Sequence, residues 1–175
     1  KTGIYYISVE ACDSLGNCNT TVSNPYYLDN GIPTITYGTN GNSSYAKSAS
    51  STVTVNANTG EINTIKYIVS TSATATPTTT ITNGGTVNLE GLTGTYYIVV
   101  EACDKAGNCK TQASNPFYMD NTAPTVTFST NGNSTYQKSH STKVTVNANT
   151  GELDTIQYII SSNSSATPNT TLTNG

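Results

Sequence analysis

The sequence predicts an all-β protein, a tandem array of two-layered β-sandwiches of about seven strands each. Three observations carry that expectation. The chain repeats itself with a period of 91 residues. Apolar side chains alternate with polar ones in run after run, the period-two signature of a half-buried strand. The composition favours Thr, Tyr, Val and Ile, side chains that suit a pleated surface with one wet face.

The repeat sets the organisation. Residues 1–84 align without a gap on residues 92–175, with 54 identities in the 84 pairs. Ala11-Cys12-Asp13 matches Ala102-Cys103-Asp104, Asn24-Pro25 matches Asn115-Pro116, and Pro33 matches Pro124. A 91-residue period is too long for a solenoid unit and fits one small sandwich with its own core. The best linkers are residues 28–33 and their copy 119–124, each ending in a proline suited to the start of an edge strand. They frame one complete domain at 32–122, the C-terminal part of another at 1–31, and the N-terminal part of a third at 123–175.

Within one repeat, Pro33 to Tyr37 reads as the first strand, followed by a polar turn at Thr39–Ser44 carrying Asn40-Gly41. Thr52–Ala57 places Val53, Val55 and Ala57 on one face. Thr64–Ser70 follows, then an irregular edge at 71–80 and a short strand at Thr86–Leu89. Gly94–Cys103 is the strongest strand. Glu101 would be costly inside a core, so Tyr96, Ile98, Val100 and Ala102 face inward, while Tyr97 and Val99 face outward. Lys110 to Met119 is the returning strand. Tyr97, Val99 and Tyr6, the repeat equivalent of Tyr97, form a possible contact patch; ordinary sheet surface is the plainer reading.

Four cysteines form two local pairs, Cys12 with Cys18 and Cys103 with Cys109, each bracketing a five-residue loop. If that loop turns a hairpin, the thiols meet across its neck as a disulfide. Such a loop contributes about 2.4 kcal/mol in the chain-entropy model and implies an oxidising, extracellular setting. Free thiols are the plainer alternative. A metal site is the other rival, and it needs ligands from elsewhere, because the chain has one histidine and two thiols per repeat are too few.

Gly94-Thr95-Tyr96, then Val100 to Asn108, then Asp120-Asn121-Thr122-Ala123-Pro124 resemble the immunoglobulin-like and fibronectin-III-like repeats of large bacterial surface proteins. In those repeats a "G-x-Y … A-x-D-x-A-G-N" hairpin closes one module and a "D-x-T-A-P" linker opens the next. The resemblance spans the chain. It implies an immunoglobulin-like sandwich and a cell-surface or adhesin-type context. It also implies two devices of such arrays: linker Ca2+ sites, here at Asp29, Asn30, Asp120 and Asn121, and Lys–Asn isopeptide bonds, here from Lys47 or Lys138. A calcium site needs six to eight oxygens, and each linker supplies one Asp and one Asn.

The remaining chemistry is sparse. Charged residues are 10 % and the formal net charge is −3, so nothing draws a nucleic acid electrostatically. No run of about 18 apolar residues exists to span a membrane. His140 pairs with Ala49 in the repeat alignment, so a catalytic role shared by both copies is not available to it. No serine or cysteine triad can be assembled in each repeat, and no Gly-rich phosphate loop opens a helix. No cofactor is expected, and the chain reads as a non-enzyme. The turn acids Asp13 and Asp104 are expected to bond their own backbone. Asn19, Asn42, Asn133, Asn163 and Asn169 lie in sequons for N-glycosylation.

The first functional expectation is a structural stalk or spacer that projects a functional region from a cell, its partners being neighbouring repeats. The second is an adhesive array for a glycan or host protein, acting by avidity. The third is a head-to-tail filament, because the two incomplete ends lack only the equivalent of residues 85–91.

Overall fold

The fold comes from a computed structural model in which residues 1–173 are described; Asn174 and Gly175, the end of the expected 123–175 segment, lie outside the described residues. The described residues form strands, turns and loops and no helix. No helix is therefore long and apolar enough to cross a membrane. The first segment contains β1 (Gly3–Tyr5), β2 (Ser8–Cys12), β3 (Cys18–Val22) and β4 (Tyr26–Leu28). The central segment contains β5 (Thr34–Tyr37), β6 (Ser48–Asn56), β7 (Ile62–Ser70), β8 (Thr79–Thr80), β9 (Thr86–Glu90), β10 (Gly94–Asp104), β11 (Cys109–Ala113) and β12 (Phe117–Met119). The last contains β13 (Thr125–Phe128), β14 (Val144–Asn147), β15 (Gln157–Tyr158) and β16 (Thr170–Thr171).

The central segment builds two sheets. One runs β5-β6-β9, and the other β11-β10-β7-β8 with β12 on the first half of β10. Val53 and Val55 point inward from β6, and Val87 and Leu89 from β9. Ile65, Ile98, Val100, Ala102, Phe117 and Met119 point back at them from the opposite sheet. All these residues form one buried cluster, so the two sheets share a core in the manner of a sandwich. Each fully buried large apolar side chain contributes roughly 1.5–3 kcal/mol. The inward set expected on β10 is the observed one: Ile98, Val100 and Ala102 are fully buried, and Tyr96 packs against the cluster.

Three expectations need correction. The return from Lys110 to Met119 is two strands, β11 and β12, broken at Ser114-Asn115-Pro116. Proline lacks the N–H that a continuous ladder needs. At the break the Ser114 hydroxyl accepts from the Ile98 N–H at 3.0 Å, and the Ser114 N–H donates to the Ile98 carbonyl at 2.9 Å. Strand β6 starts at Ser48 rather than Thr52, because Ser48–Thr52 pairs with β9 although its Ser/Ala run has no apolar alternation. Finally, Val99 is only 1 % exposed. It stands outside the core cluster, with Ile68 and Ala113 as its register partners on the flanking strands, yet it is shielded from water.

The sheets close on each other through polar ties. The Tyr37 hydroxyl on β5 donates toward the Gln112 carbonyl at 2.6 Å and lies 3.1 Å from the Ile98 carbonyl. The Gln112 side-chain amide returns a bond to the Ile35 carbonyl at 3.3 Å. Burial raises the Tyr37 phenol well above its ordinary pKa, so it stays a donor at every physiological pH.

Candidate functional site

The central hairpin is built by register. Cys103 on β10 faces Cys109 on β11, and their sulfurs are bonded at 2.04 Å. Cys12 and Cys18 repeat the pair on β2 and β3 at 2.02 Å. Both expected disulfides are therefore formed, which points to an oxidising environment. Inside the turn, Asp104 accepts from the Asn108 N–H at 2.8 Å and from its side-chain amide at 2.9 Å. Asp13 does the same with Asn17, and also accepts from the Leu15 N–H at 2.9 Å. The Asn108 and Asn17 side-chain amides are the leading cause holding these two carboxyls below their ordinary pKa. The turn's Gly107 has φ +94°, a left-handed conformation that glycine adopts without strain.

The turn also reaches outside its own hairpin. The Lys105 N–H donates to the Glu61 carbonyl at 2.8 Å. The Lys105 ammonium pairs with the Glu61 carboxylate, and that partner lowers the Glu61 pKa. Both side chains are well exposed, so the ion pair contributes little. The Asn108 side-chain amide donates to the Asp29 carbonyl at 3.2 Å, linking the hairpin to the linker that precedes the central segment. Sequence reasoning missed this contact, since 79 residues separate the partners.

The two linkers repeat one arrangement. Asp29 accepts from the Gly31 N–H at 2.8 Å, and Asp120 from the Thr122 N–H at 2.9 Å. The next residue ties the linker backward. The Asn30 N–H bonds the Thr2 hydroxyl at 3.0 Å, and the Asn121 N–H bonds the Thr93 hydroxyl at 3.0 Å. Their side-chain amides donate to main-chain carbonyls, Asn30 to Lys1 at 2.5 Å and Asn121 to Leu92 at 2.8 Å and Lys47 at 2.9 Å. The following segment ties the linker forward. The Asn58 amide donates to the Ile32 carbonyl at 2.5 Å, and the Asn149 amide to the Ala123 carbonyl at 2.8 Å. Asn58 and Asn149 take the same left-handed φ, 68° and 67°.

The forward tie also explains two glycines. A Cβ on Gly60 would lie 3.1 Å from an Asp29 carboxylate oxygen, and one on Gly151 would lie 3.1 Å from an Asp120 carboxylate oxygen. In both linkers the Asn-Thr-Gly turn of the following segment therefore lies against the linker aspartate.

The proposed cation ligands Asp29, Asn30, Asp120 and Asn121 thus have defined protein partners, with one carboxylate in each linker. Among the described residues, one cluster of three potential His, Cys, Asp or Glu ligands occurs, Glu10 with Cys12 and Cys18. Its two sulfurs are bonded to each other and offer no thiolate. Lys47 and Lys138 are exposed, whereas an isopeptide bond requires a buried lysine. His140 is exposed as well. In the outward patch, Tyr6 is exposed and Tyr97 is partly buried, while Val99 drops out. The sequon at Asn42 is structurally occupied: its side-chain oxygen accepts from the Tyr118 N–H at 2.7 Å and its amide donates to the Tyr118 carbonyl at 3.2 Å.

No family model, curated protein or solved structure matches this chain.

Proposed function

We propose that the chain is a stretch of a structural stalk, a string of immunoglobulin-like sandwiches with a 91-residue repeat from a secreted or surface-anchored bacterial protein. Residues 32–122 are the complete module, 1–31 the end of one, and 123–175 the start of another. The stalk projects a functional region away from the cell, and its partners along the chain are neighbouring repeats. No residue has a catalytic role in this reading. The disulfides support an extracellular location, where such bonds persist.

The observation that carries the reading is the repeated linker. A spacer made of independent beads bends wherever its connections are free. Here each connection is pinned on both sides by the same short polar side chains, Asn30 and Asn58 in one joint, Asn121 and Asn149 in the other. Joints of this kind transmit orientation from bead to bead. The test is a protein of two tandem 32–122 units carrying spin labels on the exposed Thr54 of each unit. A narrow distance distribution is expected, broadened by Asn58→Ala in the second unit. A native distribution as wide as that of a flexible linker overturns the stalk reading.

A further inference from the structure

The central module contains the same tripeptide twice, as Thr39-Asn40-Gly41 and Thr82-Asn83-Gly84. Their glycines share one backbone conformation, φ +81° and +80°. An Asn-Gly pair is the place where a chain most readily attacks itself. The glycine amide nitrogen closes a five-membered ring on the asparagine side-chain carbonyl, and no following side chain stands in the way. Local sequence and glycine conformation are matched here, so a difference in reactivity between the two pairs comes from the fold.

The two carbonyls under attack are alike. The Asn83 Oδ1 accepts from the Val55 N–H at 2.8 Å, and the Asn40 Oδ1 accepts from the Asn115 N–H at 2.7 Å. A main-chain donor therefore polarises each side-chain carbonyl and would stabilise the negative charge that gathers on its oxygen during attack.

The nitrogens differ. At Asn83 the attacking group is tied down: the Gly84 N–H donates to the Val53 carbonyl at 2.8 Å, in a run of bonds that continues with the Val53 N–H on the Gly85 carbonyl at 2.9 Å. The leaving group is tied as well, since the Asn83 side-chain amide donates to the Val55 carbonyl at 2.8 Å. Reaction there requires this edge to open first. The linker pair Asn30-Gly31 is held in the same manner. Its Gly31 N–H donates to the Asp29 carboxylate at 2.8 Å, and its Asn30 amide to the Lys1 carbonyl at 2.5 Å. At Asn40, which is exposed, neither the Gly41 N–H nor the side-chain amide nitrogen has a hydrogen-bond partner among the described residues. The repeat copy Gly132 carries the same free N–H and the same φ of +81°, so the property belongs to this loop of the repeat.

We propose that Asn40-Gly41 is a self-modification site, at which the folded module deamidates while Asn83 and Asn30 are protected. The Gly41 nitrogen gives its proton to solvent base and bonds to the Asn40 Cγ. The Cγ–Nδ2 bond breaks, and the nitrogen leaves as ammonia with a proton from solvent. Water then adds to either carbonyl of the resulting succinimide and opens it to an aspartyl or an isoaspartyl residue. No oxidant, enzyme or cofactor enters the sequence.

The two products act differently on the fold. The aspartyl form keeps an acceptor for the Asn115 N–H and adds one negative charge. The isoaspartyl form lengthens the main chain by one carbon directly before Gly41. The backbone is already crowded there, since a Cβ on Gly41 would lie 2.6 Å from the Pro116 carbonyl oxygen. A longer chain cannot keep both that approach and the two bonds that Asn42 makes to the Tyr118 backbone, at 2.7 and 3.2 Å. The same loop runs on to Lys47, whose carbonyl accepts from the linker residue Asn121 at 2.9 Å. Conversion of Asn40 therefore loosens the module beside its connection to the next. The inference rests on the hydrogen bonding of the central module and does not depend on the stalk reading.

The test is to age the intact chain in mildly alkaline buffer, once native and once unfolded in guanidinium chloride. The samples are then reduced, cleaved after lysine and sequenced by mass spectrometry. Cleavage places Asn40 in segment 2–47 and Asn83 in segment 67–105. Deamidation is read as a gain of about one dalton, localised by fragment ions, and the isoaspartyl form by its separate elution. In the native chain Asn40 should convert at least tenfold faster than Asn83 and Asn30. In denaturant Asn40 and Asn83, with their shared tripeptide, should convert at rates within about threefold of each other. A native chain in which Asn40 stays as intact as Asn83, or in which both convert alike, overturns the proposal. A tenfold difference that persists in denaturant overturns it too, because flanking sequence rather than the fold would then set the rate.

Discussion

Gly41 and Asp104 show how much of the module rests on single positions. Gly41 holds φ +81° and lets the Pro116 carbonyl approach so closely that any Cβ must displace backbone. Gly41→Ala is expected to cost roughly 2–3 kcal/mol, from left-handed strain together with the clash; chemical denaturation of the chain measures it. Asp104 is buried, and its carboxyl is held below its ordinary pKa chiefly by the Asn108 side-chain amide. A depressed folded-state pKa stabilises the fold above the unfolded value of about 4. That stabilisation is lost as pH falls through the folded value. Asp104→Asn is therefore expected to lower the melting temperature at pH 7, with the gap to native closing progressively below pH ~4. A gap independent of pH would assign the residue's contribution to its shape rather than its charge. The local turn role of Asp104 was legible from Asp and Asn bracketing Lys-Ala-Gly. Its burial was not, because the residues that shield it belong to distant stretches of chain.

At the scale of elements, the sequence marked strands wherever apolar side chains alternate. Thr52–Ala57 and Gly94–Cys103 announce both their existence and their inner face, since period two admits one buried set. It failed where pairing rather than patterning makes the strand. Ser48–Ser51 is a strand because β9 lies beside it. The return strand looked continuous until Pro116 and the Ser114 hydroxyl divided it. The hairpin staple was legible because a loop of five residues between thiols leaves few geometries besides a turn. Replacing Cys103 and Cys109 together with Ser is expected to destabilise the central module by about 2.4 kcal/mol, read as a shift in denaturation midpoint. Tyr37→Phe tests the tie between sheets: loss of its hydroxyl bonds to the Gln112 and Ile98 carbonyls should cost about 1 kcal/mol.

The whole molecule divides by burial. Apart from Val146, the buried apolar side chains lie between Pro33 and Met119, and the matching residues outside that span are largely exposed. In dilute solution, amide exchange is therefore expected to be slow in β6, β7 and β10 and fast in residues 1–31 and 123–173, read by mass spectrometry after a denaturation-free pulse. Uniform protection along the dilute chain would contradict that division. By itself the sequence determined the strand-rich class, the period, the inward faces and the cysteine pairing, because each depends on residues near one another or on a pattern repeated along the chain. Tertiary structure alone decided the rest: the Asn108 reach to Asp29, the burial of Val99, and the approach of Pro116 over Gly41. Those outcomes depend on which distant segments meet, and a linear pattern of side chains does not encode the distance between them.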